Sequence, residues 1–194
     1  MDDFLESVKS VVGAALEYGV RYVPITPARD KSPFRDFRHQ RDFFASCHRG
    51  YEKAQTRILE LVRTLHSNPM LTDDEKLYRE LIYRRVVDAI AFTILRTESH
   101  VARRLELHDV PPNLDFTTMT AAKREVDRLN DESRLTFALL ADLTTFIHVA
   151  DVLRVDFRSG VPSVHLVELK SGRVNNLLLS QLEMYNQSQS QSKR

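Results

Sequence analysis

Cysteine is nearly absent. Cys47 stands alone among 194 residues, which excludes an internal disulfide and a cysteine-rich zinc site, and fits a reducing, cytoplasmic setting. Long hydrophobic runs are missing too: the stretch around FALLA at 137–141 is far too short to span a bilayer. The first residues, MDDFLES, are acidic where an export signal would be basic, so none is expected. There is no phosphate-binding glycine loop, no heptad run strict enough for a coiled coil and no internal repeat. A charge excess is also lacking, since the formal net charge is +1. What remains is ordinary: 42% hydrophobic and 28% charged residues, the make-up of a soluble globular chain of about this size.

The first two thirds read as helix. Residues 3–18 carry apolar positions at helical spacing, and a segment with Pro24, Pro27 and Pro33 then interrupts regular structure. From about Asp36 to His66 the periodicity resumes through Phe43, Phe44, Cys47, Tyr51, Ala54, Ile58, Leu61, Val62 and Leu65. Thr72, three residues before Glu75, has the spacing of a capping box and opens a helix expected to run to about Leu107. Its line of Leu77, Leu81, Val86, Ile90, Ile94, Val101 and Leu105 is expected to face the preceding helix, with Arg79, Arg84, Arg85 and Arg96 outward. Residues 1–116 thus form an expected helical lobe, or a surface for self-association or a partner domain.

Within that lobe, basic residues outnumber acidic ones nine to five between Arg29 and Arg63, interleaved with Phe34, Phe37, Phe43, Phe44 and Tyr51. Such a stretch suits phosphate contact and base stacking, with Arg35, Arg38 and Arg41 as candidate backbone contacts. It also suits an amphipathic helix with a basic solvent face, the simpler account.

Residues 117–194 change character. Thr120 to Leu129 is helical, and NDES at 130–133 can cap a fresh helix through Ala138 and Leu143. From Val149 the period becomes two: VLRVDF, a Ser-Gly turn, then VHLVELK, a hairpin signal. A turn at Ser159–Gly160 sets Asp151 opposite Glu168 and puts Lys170 on their face. That face continues as Leu153, Val155, Phe157, Val164 and Leu166, so it is expected to be buried along its length and charged at one end. Arg154, Asp156, Arg158 and His165 fall on the other side as solvent-facing residues. Two opposed carboxylates repel unless one is protonated or a cation lies between them. Mg²⁺ or Mn²⁺ suits hard oxygen ligands, and an adjacent ammonium suits the activation of water and the stabilisation of phosphoryl charge. The overall class is α+β.

Asp151 followed by E168-L-K170 on the next strand resembles the PD-(D/E)XK nuclease superfamily, the restriction-endonuclease-like fold. ELKSG and then SQLEMY, with Gln181 and Tyr185 four apart on one helix face, is similar to the RecB-like branch and its Q-x-x-x-Y element. The match covers roughly residues 134–186, with Ala150 where the family name has proline. No histidine is carried over, since neither His100 nor His148 falls where that branch places its extra ligand. Asp142 is a candidate extra acidic group.

The resemblance implies a metal-dependent nuclease acting on DNA more than RNA, in bacterial defence or repair. Asp151, Glu168 and the Leu169 carbonyl would hold the metal, Lys170 would serve the attacking water, and Gln181 and Tyr185 would brace the site. The resembling core ends in a further strand, whereas NQSQSQSKR after Tyr185 is too polar for one. A core truncated before its last strand is therefore expected. The alternative is a non-catalytic helical binding module carrying an inactive nuclease-like core.

Overall fold

In the computed structural model, the residues described are 2–17, 37–95, 105, 114–147, 149–159 and 162–169, with residues 2 and 37–40 described by backbone alone. They form four α-helices and one three-stranded antiparallel sheet, an α+β arrangement. None of these helices is long and apolar enough to cross a membrane.

Helix α1 spans Asp2–Leu16 and α2 spans Phe37–Ser67, close to the expected bounds. The α2 residues Phe44, Cys47, Tyr51, Ala54, Ile58, Val62 and Leu65 are all buried, as their three- and four-residue steps require. The two helices touch at Gly50, where a Cβ would stand 2.7 Å from the Ala14 carbonyl oxygen.

Helix α3 spans Asp73–Ile94 and begins with the expected capping box: Thr72 Oγ1 accepts from Glu75 N–H, and Glu75 accepts from Thr72 N–H. Asp73, Asp74 and Glu75 place negative charge on its positive dipole end. The helix expected to run to about Leu107 instead ends at Ile94, with Leu95 as its C-cap; residues 96–104 lie outside the described residues.

The inward line of α3 matches the expected one at Ile90 and Ile94, both buried, and departs from it earlier in the helix. Leu77 is 65% exposed, whereas Arg84, expected outward, is 2% exposed and lies with Glu80, Tyr83, Val87, Asp88 and Ala91 on the buried face. The helix is rotated because polar side chains on that face find partners inside, an outcome that hydrophobicity does not register.

Helix α4 spans Phe116–Glu132, N-capped by Asp115, whose carboxylate accepts from Thr117 N–H at 2.8 Å. The fresh helix expected through Ala138 and Leu143 is instead strand β1, Thr136–Leu140, followed by a 3₁₀ turn at Ala141–Leu143. All five β1 residues are buried. A strand covered on both faces shows no two-residue alternation, so TFALL carries no strand period in the sequence.

Strands β2, Val152–Asp156, and β3, Ser163–Val167, complete the sheet in the order β1-β2-β3. The β2–β3 pairing runs from Val152 with Val167 to Asp156 with Ser163, the register expected from a Ser159–Gly160 turn.

Helix α2 covers one face of this sheet. Phe44 stacks on Phe157 with centroids 4.4 Å apart, and His48 and Tyr51 meet Phe137 edge-on. The burial expected along that face holds on β2, where Leu153, Val155 and Phe157 are enclosed, and fails on β3, where Val164 and Leu166 are each 43% exposed. On the other face Arg154 lies between Asp156 and Glu132 of α4, at 3.4 and 4.0 Å.

The outer edge of β1 is closed by side chains rather than by a fourth strand. Asn130 accepts from Ala138 N–H at 2.7 Å and donates to its carbonyl at 3.1 Å. Gln55 accepts from Leu140 N–H at 2.6 Å, and His48 Nε2–H donates to the Thr136 carbonyl at 2.9 Å. Buried backbone groups need such partners, and two amides and an imidazole supply them here. The helices and the sheet share one hydrophobic cluster that runs from Val11 to Phe157, across the boundary expected near residue 116.

Candidate functional site

The site is built at the open end of the β2–β3 hairpin. Val152 and Val167 are the last paired residues there, so the next positions outward are Asp151 and Glu168. An unbroken ladder would carry these two on one face, the expected arrangement, but the pairing ends at Val152 and Val167.

At this end the ladder changes. Asp151 N–H donates to the Val167 carbonyl at 3.1 Å, one residue out of step with the pairing above it. Leu169 N–H then donates to Asp151 Oδ2 at 2.5 Å, a carboxylate oxygen taking the place of a strand carbonyl. Leu169 is partly buried against the core, so the strand end carrying Glu168 is held on both sides of that residue. Asp151 is half-buried and Glu168 exposed. The Asp151 carbonyl accepts from Ala141 N–H at 2.9 Å, which ties the foot of β2 to the exit of β1.

Of the expected site residues, Asp151 and the Leu169 amide are thus brought together, with Glu168 the residue before Leu169. Lys170, Gln181 and Tyr185 lie outside the described residues, as do His100 and His148. Asp142 is half-buried in the 3₁₀ turn. Two carboxylates and a backbone carbonyl make an all-oxygen donor set, which suits Mg²⁺ or Mn²⁺ rather than a softer metal. Among the described residues, no three His, Cys, Asp or Glu side chains group together as metal ligands.

The basic face of α2 has a different character from the one its composition offers. Arg35 lies outside the described residues, and Arg38 is described by backbone alone. Arg41 stands 3.6 Å from Asp42. Farther along, Lys53 pairs with Glu17 at 3.2 Å and Arg57 with Glu60 at 3.3 Å, so the surface is mixed in sign. The cleft between Arg49, Lys53 and Arg57 also contains Glu52 and Glu60. Phe44 and Tyr51 are core residues packed on the sheet, so they are not available to stack on bases. The described part of α2 is thus an amphipathic helix with a solvent face of mixed charge.

On the other face of the sheet, Asp156 is fixed by Arg158, whose Nε donates to it at 2.9 and 3.0 Å. Hydrogen bonding from Arg158 holds the Asp156 carboxyl below its ordinary range.

Hydrophobic periodicity missed a set of charged residues that reaches this site from α3. Glu80, Arg84 and Asp88 repeat every four residues and face inward toward Thr144 and Thr145 in the β1–β2 connection. That spacing on one helix face was the available signal.

No protein family, curated protein or solved structure matches the chain.

Proposed function

We propose that the chain is a divalent-metal-dependent nuclease that hydrolyses phosphodiester bonds, in DNA more readily than in RNA. One observation supports the reading: at the hairpin end the Leu169 N–H, next in the chain to Glu168, is bonded to the Asp151 carboxylate. Asp151 and Glu168, with the Leu169 carbonyl, would hold Mg²⁺ or Mn²⁺. When bound, the ion would supply Lewis acidity and lower the pKa of a water ligand. Asp151 accepts the Leu169 amide through Oδ2, which holds the carboxylate in place and would leave Oδ1 as the oxygen for the ion. Glu168, being exposed, is accessible to ion and substrate. Lys170, two residues after Glu168, would orient the attacking water and offset charge on the phosphoryl oxygens. Gln181 and Tyr185 would brace the phosphate.

A second reading is a non-catalytic helical binding module. It is favoured by the structural task Asp151 already performs, since a carboxylate that caps a strand end has a reason to be there without any metal.

The two readings separate on titration of Mg²⁺ and Mn²⁺ into the wild type and Lys170→Ala, with labelled single- and double-stranded DNA and RNA present. The nuclease reading expects metal-dependent cleavage that Lys170→Ala abolishes while metal binding survives. Absence of metal binding by the wild type would leave the binding module.

A further inference from the structure

Helix α3 turns charge inward. Glu80, Arg84 and Asp88 are all buried, an arrangement that carries a large desolvation cost unless each group is paired. Their partners lie in one place. Arg84 Nη1 pairs with Glu80 Oε1 at 3.0 Å, and Arg84 Nη2 donates to the Thr144 carbonyl at 2.6 Å. His66 joins from the end of α2, its Nε2 2.6 Å from Glu80 Oε2. Asp88 accepts twice from Thr145: from N–H at 2.7 Å and from the hydroxyl at 2.6 Å. Arg85 Nη1 closes that group, 3.0 Å from Asp88 Oδ2 and 2.9 Å from Thr145 Oγ1.

Thr144 and Thr145 are consecutive residues of the connection that delivers the chain to Asp151, and the bonds continue toward it. Thr144 Oγ1 donates to the Ala141 carbonyl at 2.7 Å and accepts from Ile147 N–H at 3.0 Å. Ala141 N–H donates to the Asp151 carbonyl at 2.9 Å. Asp151 in turn accepts from Leu169 N–H. Hydrogen bonds, joined through the covalent frames of Thr144 and Ala141, therefore link an α3 guanidinium to the main chain of Asp151, the residue whose carboxylate belongs to the candidate site.

We propose that Arg84 and Asp88 are positioning residues for Asp151. By clamping Thr144 and Thr145, α3 fixes the pose of the β1–β2 connection and with it the direction of the Asp151 carboxylate. The helical part is then a working part of the site, not an attachment. The consequence for metal binding rests on the nuclease reading; the coupling itself does not.

The test has two readouts. The Leu169 amide proton, bonded to a carboxylate, reports Asp151 pose by its NMR shift, and Mn²⁺ titration reports affinity. Asp88→Asn keeps one acceptor for Thr145 and loses the other, Arg84→Lys loses the paired geometry, and Thr145→Val removes only a hydroxyl. Gly50→Ala, which disturbs the α1–α2 contact, is the control for general destabilisation. The expectation is that Asp88→Asn and Arg84→Lys move the Leu169 amide upfield and weaken Mn²⁺ binding about 10-fold, with Thr145→Val giving a smaller change of the same sign. Gly50→Ala should leave the Leu169 amide in place. Movement of the amide with no Mn²⁺ binding by the wild type would uphold the positioning role and remove the nuclease reading. An unmoved amide in folded Asp88→Asn, Arg84→Lys or Thr145→Val, or equal movement in Gly50→Ala, would overturn the proposal. An energetic coupling claim needs such a comparison, because a chain of contacts alone does not establish it.

Discussion

Leu169 N–H donates to Asp151 Oδ2 at 2.5 Å, across the open end of the β2–β3 hairpin. The bond gives the carboxylate two separable properties, an acceptor oxygen and a charge. Asp151→Asn retains an acceptor oxygen for Leu169 and loses the charge. Its unfolding free energy should stay within about 1 kcal/mol of wild type, while any metal-dependent cleavage falls about 10²–10³-fold. Asp151→Ala loses both and should be less stable by about 1–3 kcal/mol, since it strands a partly buried amide. Urea unfolding of the two variants, with cleavage measured alongside, checks both halves.

The β1 edge is where stability should be most sensitive to a polar side chain. Gln55→Ala removes the acceptor for Leu140 N–H inside the core and leaves a gap between α2 and the sheet. A loss of about 3 kcal/mol is expected, combining an unsatisfied buried donor with a cavity. Urea titration reads it directly. A loss below about 1 kcal/mol would mean that water satisfies this edge.

Acid should weaken the fold through His48. Burial lowers its pKa from the ordinary 6.5, only partly opposed by the bond to the Thr136 carbonyl, with Glu52, Arg134 and Asp131 as the charges nearby. The folded chain therefore keeps His48 neutral at pH values where the unfolded chain has already taken up a proton. The contribution is present above about pH 6.5 and is lost as pH falls below it. Comparing Tm at pH 7.5 and 5.5, the wild type should drop more than His48→Gln, which keeps a donor for Thr136 without titrating. The depressed Asp156 carboxyl also loses stability in acid, but below its ordinary value of 3.8, so the two windows separate.

Two helical glycines should respond in opposite directions. Gly50→Ala drives a Cβ to within 2.7 Å of the Ala14 carbonyl oxygen and 3.0 Å of that of Ala15. Separating α1 from α2 to relieve this should cost about 1–3 kcal/mol. Gly13→Ala meets nothing within 4 Å and should stabilise α1 by about 0.5–1 kcal/mol. Thermal unfolding of the pair checks the sign of each.

Local chemistry was enough for much of this molecule. The Thr72–Glu75 capping box, the buried stripe of α2 and the β2–β3 register each depend on residues close in sequence, and each appears as expected. The register could be read from the sequence alone, whereas the bond from Leu169 N–H to the Asp151 carboxylate lies beyond the last pair and could not.

Tertiary structure decided the rest. TFALL is a strand because α2 and α4 cover it and side chains of Gln55, Asn130 and His48 close its edge, conditions that a local apolar run does not express. Arg84 and Asp88 turned inward because Thr144 and Thr145, some sixty residues away, supply backbone and hydroxyl partners that offset desolvation. Phe44 and Tyr51 became core because the sheet lies against α2. In each case the deciding partner is distant in the chain, so hydrophobic period and charge could specify the residue but not the neighbour that fixed its role.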